Sequence, residues 1–291
     1  MDRMQFPENS RAQHLPLSFD ASLPFGAKDH FFHFLHGYLI PGLSLGLARG
    51  VRSVGFEDCG PLMNPKIVEA CRLAGLDLVA PESGDSRSDE ACAVPRWDNL
   101  LFRLDGSHQT GAEIAAFRGL TERVRLLLLA RAEEECRRSG TLESWRSGEV
   151  LVLSRSPDHP YYGPGGASRF PGYGRGRRAL LNGTQIAEHL VALGRRVREV
   201  DMGALPLADQ IMAFNHASAV VGARGAEFAH LFWMRPGARA VMLATPVKQE
   251  NNASRSLSEI FEIRFVAPAV AASFFAIEPK RVAGYLAELD A

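Results

Sequence analysis

Ala219-Val220-Val221-Gly222-Ala223-Arg224-Gly225-Ala226-Glu227 is the stretch that decides the fold. Its apolar run lacks polar alternation, so it reads as a strand covered on both faces. It ends in small residues and enters a helical pattern over 226–234 at once. Strand, glycine turn and helix form the unit of a parallel α/β sheet, whose ligands sit beyond the carboxyl ends of its strands. Gly222 and Gly225 are expected to let the chain turn tightly. Gly225 and Ala226 would then offer backbone N–H groups to an anion, with the planar Arg224 guanidinium beside them. The pattern is not G-x-G-x-x-G, and a tight turn carrying a surface arginine would look the same.

Working outward, strands are expected at 150–154, 197–200, 219–222, 240–243 and 264–266. Helices are expected at 184–193, 207–217, 226–234 and 279–289. This alternation with short connections predicts a parallel sheet with helices on both faces. The first half is less regular. Residues 1–26 read as an extended lead-in punctuated by Pro7, Pro16 and Pro24. A helix is expected over 27–48, kinked or split by Pro41 and Gly42. A strand at 51–56 and a helix at 65–73 follow, the helix stopped by Gly75. Then come a strand at 76–80, a polar loop at 81–90 and one or two short strands within 92–104. A long helix over 112–138 carries Ile114, Phe117, Val124 and Leu127 at helical spacing, with Arg137 and Arg138 in its last turn.

The 291 residues suffice for two domains, placed at 1–145 and 146–291. Hydrophobic residues make up 46% and charged residues 23%, which argues against disorder. Lys+Arg and Asp+Glu balance at 33 each, so no duplex nucleic-acid partner is indicated. Cys59, Cys71, Cys92 and Cys136 form no metal-ligand spacing and read as reduced thiols. No apolar run reaches the roughly 20 residues of a membrane span, and the N-terminus lacks a signal-peptide core. The expectation is a cytoplasmic protein.

A second basic feature follows the strand at 150–154. Arg155, Arg169, Arg175, Arg177 and Arg178 are interleaved with Tyr161, Tyr162 and Tyr173 against one acid, Asp158. This suits a mobile loop closing on a phosphorylated ligand. It equally suits a single-stranded nucleic-acid contact or a solvated crossover. Asn182 stands three residues before Gln185, the spacing of a capping box, and could instead contact ligand. Glu227 complements a helix N-terminus or accepts from ribose hydroxyls. His30, His33 and His36 lie three apart on one helix, but no HExxH accompanies them, so no metal is expected. His33 is the first candidate for a base, since its ordinary pKa is near neutral. Asp58 is the second, with Glu57 beside it. Asp105 and His108 serve equally as turn and cap residues.

Taken together, these residues resemble glycosyltransferase family 61. The family shows an Arg after a strand, matched by Arg155, and then Arg-x-x-x-Asn, matched by Arg178 and Asn182. A Gln-Ile follows at Gln210-Ile211, then a strand ending in Gly-x-His-Gly-Ala, here Gly222 with Arg224-Gly225-Ala226. Leu231-Phe232 and Pro236-Gly237 complete the run, and Phe31-Phe32-His33-Phe34-Leu35 resembles an early aromatic–His segment. Two positions depart: Arg224 replaces the family His, and His230 replaces an Asn. Arginine holds phosphate but does not act as a neutral acceptor or base at pH 7. The resemblance implies a GT-B-type enzyme with two Rossmann-like domains, transferring sugar from a nucleotide-sugar donor to a saccharide acceptor with inversion and without metal or other cofactor. It implies Arg155, Arg178, Arg224, Gly225 and Ala226 at the donor diphosphate, and Asn182, Gln210, Glu227 and His230 near the nucleoside or sugar. His33 and Asp58 are the catalytic candidates. Two other readings stay open at this level: an inactive saccharide- or partner-binding relative, and a nucleotide- or NAD-binding enzyme sharing the topology.

Overall fold

The computed structural model describes residues 14–20, 26–79, 91–102, 107–168, 173–246 and 253–290. The loop expected at 81–90, Arg169, Asp105, Pro7 and Pro24 lie outside them. Every strand pairing among the described residues is parallel. The first half builds a four-stranded sheet from β1 (His14–Phe19), β2 (Ser53–Gly55), β3 (Asp77–Val79) and β4 (Cys92–Val94). Its order is β3-β2-β1-β4. The second half contains β5 (Glu149–Ser154), β7 (Val197–Asp201), β8 (Ala217–Ala223), β9 (Arg239–Leu243) and β10 (Arg264–Val266). Their order is β10-β9-β8-β5-β7, so the strand order reverses between β5 and β8. A small parallel pair joins β6 (Ala179–Leu180) to β11 (Phe274–Phe275). The architecture is mixed α/β and Rossmann-like.

Strand faces explain why the apolar runs do not alternate. Val150 and Val152 face one core, while Leu151 and Leu153 face the other. Ala219 and Val221 likewise oppose Val220, and Val241 opposes Ala240 and Met242. Helices α5 (Gly183–Ala192) and α8 (Pro279–Glu288) cover the first face through Ile186, Leu190, Val282 and Leu286. The second face belongs to a larger core that runs without a break from Leu15 to Ile263, joining both halves. Helix α4 (Gly111–Ser139) is central to it. It packs on α2 (Ile40–Arg49), α3 (Asn64–Ala74), α6 (Leu207–His216) and α7 (Ala253–Ile260).

Two expectations are corrected. The lead-in contains a central strand, β1, despite Pro16. Pro16 falls where β1 pairs with β2, and the pairing with β4 begins only at Leu17. The missing N–H is thus confined to a stretch with a single neighbour. Second, Pro41 does not break its helix. Helix α1 (Phe31–Phe34) runs through a π-turn, Leu35–Leu39, into α2. Ile40 N–H reaches back to the Leu35 carbonyl, and the wider turn relieves the clash a proline ring makes with the preceding turn. By length and composition alone the 19-residue helix so formed would suffice to cross a membrane, and 61% of the relevant window is buried inside the fold. Helix α7 lay outside the expectations altogether, because it buries Ser254, Ser256 and Ser258 beside Leu257 and Ile260. All four cysteines are free thiols, and Cys59, Cys71 and Cys136 are buried.

Candidate active site

The reversal in strand order places the ends of β5 and β8 side by side. Arg155 follows β5, and Arg224 and Gly225 follow β8. A cleft of about 520 Å³ opens there. One wall carries Arg155, Arg177, Arg178, Arg224 and Glu227; the other carries Asp29, His30, Phe31, Phe32, His33 and Phe102. The cleft therefore lies between residues of the first half and the strand ends of the second.

The basic wall is tightly interlocked. Arg155 Nη2 donates to Glu227 Oε2 at 2.8 Å and to the Arg224 carbonyl at 3.2 Å. Arg178 Nη1 donates to the same carbonyl at 3.0 Å. Gly225 is extended (φ −168°, ψ 177°), so its role is not the tight turn expected of it. The reason is room: a Cβ there would lie 1.5 Å from Arg155 Nη2. Gly222 likewise serves close strand packing, since its Cβ would lie 2.9 Å from that of Leu153. Burial and the neighbouring Arg177, Arg224 and Arg155 push the Arg178 guanidinium down to about 10, so it stays charged at neutral pH. Burial, then Arg177, also lowers Arg224. Four guanidiniums thus share a half-buried wall with one carboxylate, Glu227, an arrangement suited to a polyanion.

On the facing wall His33 Nδ1 lies 2.7 Å from Asp98 Oδ2. Its ring stacks on Phe102 with centroids 5.6 Å apart. Asp98 follows β4, and its side chain is fully buried. Arg96 clamps it from two sides, through Nε to Oδ1 at 2.8 Å and Nη2 to Oδ2 at 2.6 Å. Arg96 also donates to the Asp20 carbonyl at 3.0 Å, just past β1, and lies over the Phe19 ring. Burial raises the Asp98 pKa, but the hydrogen bonds from Arg96 and His33 outweigh it and hold the carboxyl below its usual range. The loop after β5 reaches this wall: Tyr162 Oη donates to the Asp29 carbonyl at 2.8 Å, and Ser168 Oγ to Asp29 Oδ2 at 2.5 Å.

Of the residues singled out from sequence, the cleft gathers His33, Arg155, Arg178, Arg224, Gly225, Ala226 and Glu227. It does not gather Asp58, Asn182, Gln210 or His230. Asp58 accepts from Asn64 Nδ2 and Gly60 N–H, both at 2.8 Å, and these bonds hold it below the usual carboxylate range. Such a carboxylate is a weak base. Asn182 makes no cap bond; it spans the Ile277 backbone, donating to its carbonyl at 2.8 Å and accepting from its N–H at 3.1 Å. Gln210 is buried and donates to the Met202 and Leu205 carbonyls. His230 is buried between Phe31 and Phe214. The three helix histidines diverge: His30 and His33 line the cleft, while His36 is buried and donates to the Ala229 carbonyl at 3.1 Å. Among the described residues no group of three or more His, Cys, Asp and Glu is placed to hold a metal ion. His108 is exposed and lies 2.5 Å from Glu259. Glu57 is tied to Lys28 and to Phe19 N–H.

Asp29, Arg96, Asp98 and Phe102 were not singled out from sequence. For Arg96 and Asp98 the one trace is charge inside an apolar neighbourhood, Val94-Pro95-Arg96-Trp97-Asp98, and no periodicity marks it.

A family model described as Glycosyltransferase 61 matches residues 31–241. The matched span holds both walls of the cleft from Phe31 to Glu227. No curated protein matches the chain.

Proposed function

Because the chain belongs to the Glycosyltransferase 61 family, we propose that it transfers a sugar from a nucleoside-diphosphate sugar to a saccharide hydroxyl, with inversion and without a metal. The observation that carries this reading is the convergence of Arg155, Arg177, Arg178 and Arg224 at the strand-order reversal, across one cleft from His33. The guanidiniums neutralise the departing diphosphate, the task a divalent cation performs elsewhere. Glu227, paired with Arg155 on the same wall, would accept from the donor's hydroxyls. Residues 1–145 then supply the acceptor side and 146–291 the donor side, in the manner of a two-domain GT-B enzyme.

The reaction balances as one displacement. His33 takes the proton of the acceptor hydroxyl. The acceptor oxygen bonds to the anomeric carbon, on the face away from the donor phosphate. The bond from that carbon to phosphate oxygen breaks, and its electron pair leaves on the nucleoside diphosphate.

The test is thermal stability with UDP, GDP, CDP, CMP or NAD, each with Mg²⁺, with Mn²⁺ or with chelator. One nucleoside diphosphate should stabilise the protein equally under all three conditions, by about 2.7 kcal/mol at 100 times its Kd. Stabilisation by NAD alone, or by none of them, would overturn the reading.

A further inference from the structure

A base that removes a proton from an acceptor must present a lone pair to it. An imidazole has two nitrogens, and its partner decides which one keeps the proton. His33 Nδ1 faces a buried carboxylate oxygen of Asp98 at 2.7 Å. An ionised carboxylate only accepts, so this contact places the proton on Nδ1 and the lone pair on Nε2. The ring that carries Nε2 lines the cleft.

Asp98 is itself immobilised. The two-sided Arg96 clamp leaves Oδ2 shared between Arg96 and His33. Backbone geometry makes room for the set. Gly37 lies in the π-turn, and a Cβ on it would sit 2.6 Å from Asp98 Oδ1. Gly26 has φ +82°, and a Cβ there would sit 2.6 Å from His33 Nδ1 and 2.7 Å from Arg96 Nη2. Two glycines, a widened helical turn and a buried ion pair thus converge on one ring. A π-turn inside an α-helix is often found beside a functional residue.

We infer that Asp98 and Arg96 are positioning residues for His33: Asp98 fixes the Nδ1–H tautomer and steadies the imidazolium that proton removal creates, and Arg96 locks Asp98 and tempers its charge. The kinetic consequences rest on the transferase reading above; the tautomer does not. The charged and titratable groups around His33 come from several elements. Asp98 and Arg96 follow β4, His30 immediately precedes the helix, and His36 lies in its π-turn. Asp29 precedes the helix, and Arg155, Arg177, Arg178, Arg224 and Glu227 stand across the cleft. Asp98 reaches the ring directly, through Nδ1.

Two variants shift the system in opposite directions. In Asp98→Asn the carboxamide no longer stabilises an imidazolium, so the acidic limb of kcat/KM against pH moves to lower pH. Its NH₂ can also donate to Nδ1, which drives the proton to Nε2 and lowers kcat by about 100-fold or more. Arg96→Gln leaves the Asp98 charge unopposed, so the acidic limb moves to higher pH. Donor affinity should stay within about two-fold in both variants, since neither residue lines the basic wall.

The deciding experiment is ¹⁵N NMR of the full chain selectively labelled at histidine, with His33 assigned by His33→Gln. Neutral His33 in the parent should be protonated at Nδ1, and in Asp98→Asn at Nε2. An Nε2–H tautomer in the parent overturns the inference, even if Asp98→Asn fails to fold. Should the parent show no transferase activity with any donor, the transferase reading falls while the tautomer still decides the positioning role. Where activity is present, an unmoved acidic limb in Asp98→Asn also overturns it.

Discussion

At the residue scale, Arg224 is the position where this chain departs most from the pattern it resembles. It lines the basic wall of the cleft, is half-buried, and its carbonyl receives both Arg155 and Arg178. The carbonyl contacts belong to the backbone and would survive a change of side chain. What the side chain adds is a permanent charge. Arg224→His, which restores the residue of the family pattern, would carry that charge only when protonated. Its affinity for the nucleoside diphosphate should therefore weaken by up to about ten-fold between about pH 6 and about pH 8, while the parent's changes far less. Calorimetric titration at the two pH values checks this. Equal pH dependence in parent and variant would show that the Arg224 side chain does not meet the phosphates.

At the element scale, α4 illustrates how one helix can join two sheets. Its start is fixed by a capping box: the Glu113 N–H donates to Thr110 Oγ1 at 3.3 Å, and the Thr110 N–H to Glu113 Oε2 at 2.8 Å. Gly140 closes it in the left-handed conformation (φ +76°). Between these ends Phe117, Thr121, Val124, Leu128, Ala132 and Cys136 are buried. The seam runs through Leu128, and Leu127, expected on the buried face, is only partly covered. From the flank Arg125 donates to the Phe232 and Met234 carbonyls at 2.6 and 2.9 Å, and Arg118 to the Ile260 carbonyl at 2.5 Å. Fraying at the start of α4 would loosen contacts with both halves. Thr110→Ala should cost about 1 kcal/mol in urea unfolding with an unchanged slope. A change below about 0.3 kcal/mol would mean that packing alone sets the helix start.

At the scale of the whole molecule, the unbroken core makes two buried histidines common to both halves. Burial, opposed only in part by the bond to Ala229 and by Asp98, pushes His36 down to about 4. Burial, then Lys66 and His36, pushes His230 down to about 3. Nδ1 of each ring is buried without a hydrogen-bond partner, so neither site offers an acceptor for a second ring proton. In the unfolded chain both would titrate near 6.5. The unfolded state therefore binds more protons below that pH, and stability falls as the solution is acidified through the window from about 6.5 to about 3. At about 1.4 kcal/mol per pKa unit, the two sites together are worth several kcal/mol at the acid end. Stability measured by urea unfolding should drop steadily from pH 7 to pH 5, and neither ring should titrate by NMR across that range. A ring that does titrate there would show that its burial is incomplete.

Much of the C-terminal half could be read directly from the chain. Strands with residues covered on both faces, helices with one apolar stripe and glycine stops are set by local geometry. Each such signal therefore lies within a few neighbouring residues, as at Val150–Leu153 and, in the first half, at Gly140. The same locality revealed that Arg155 and Arg224 follow strand ends, because a continuous apolar run precedes each of them in sequence. It misjudged β1, whose pairing partners lie in distant strands and whose proline argued for a lead-in. It also left Asn182, Gln210 and His230 as ligand candidates, although the Ile277 backbone, the Met202 and Leu205 carbonyls and the rings of Phe31 and Phe214 engage them in the fold. The pairing of His33 with Asp98, 65 residues apart, and the clamp of Arg96 on Asp98 came from the tertiary structure alone. Charge pairs inside a core have no periodicity: the fold selects them by bringing strand ends together and by excluding water from the place where they meet.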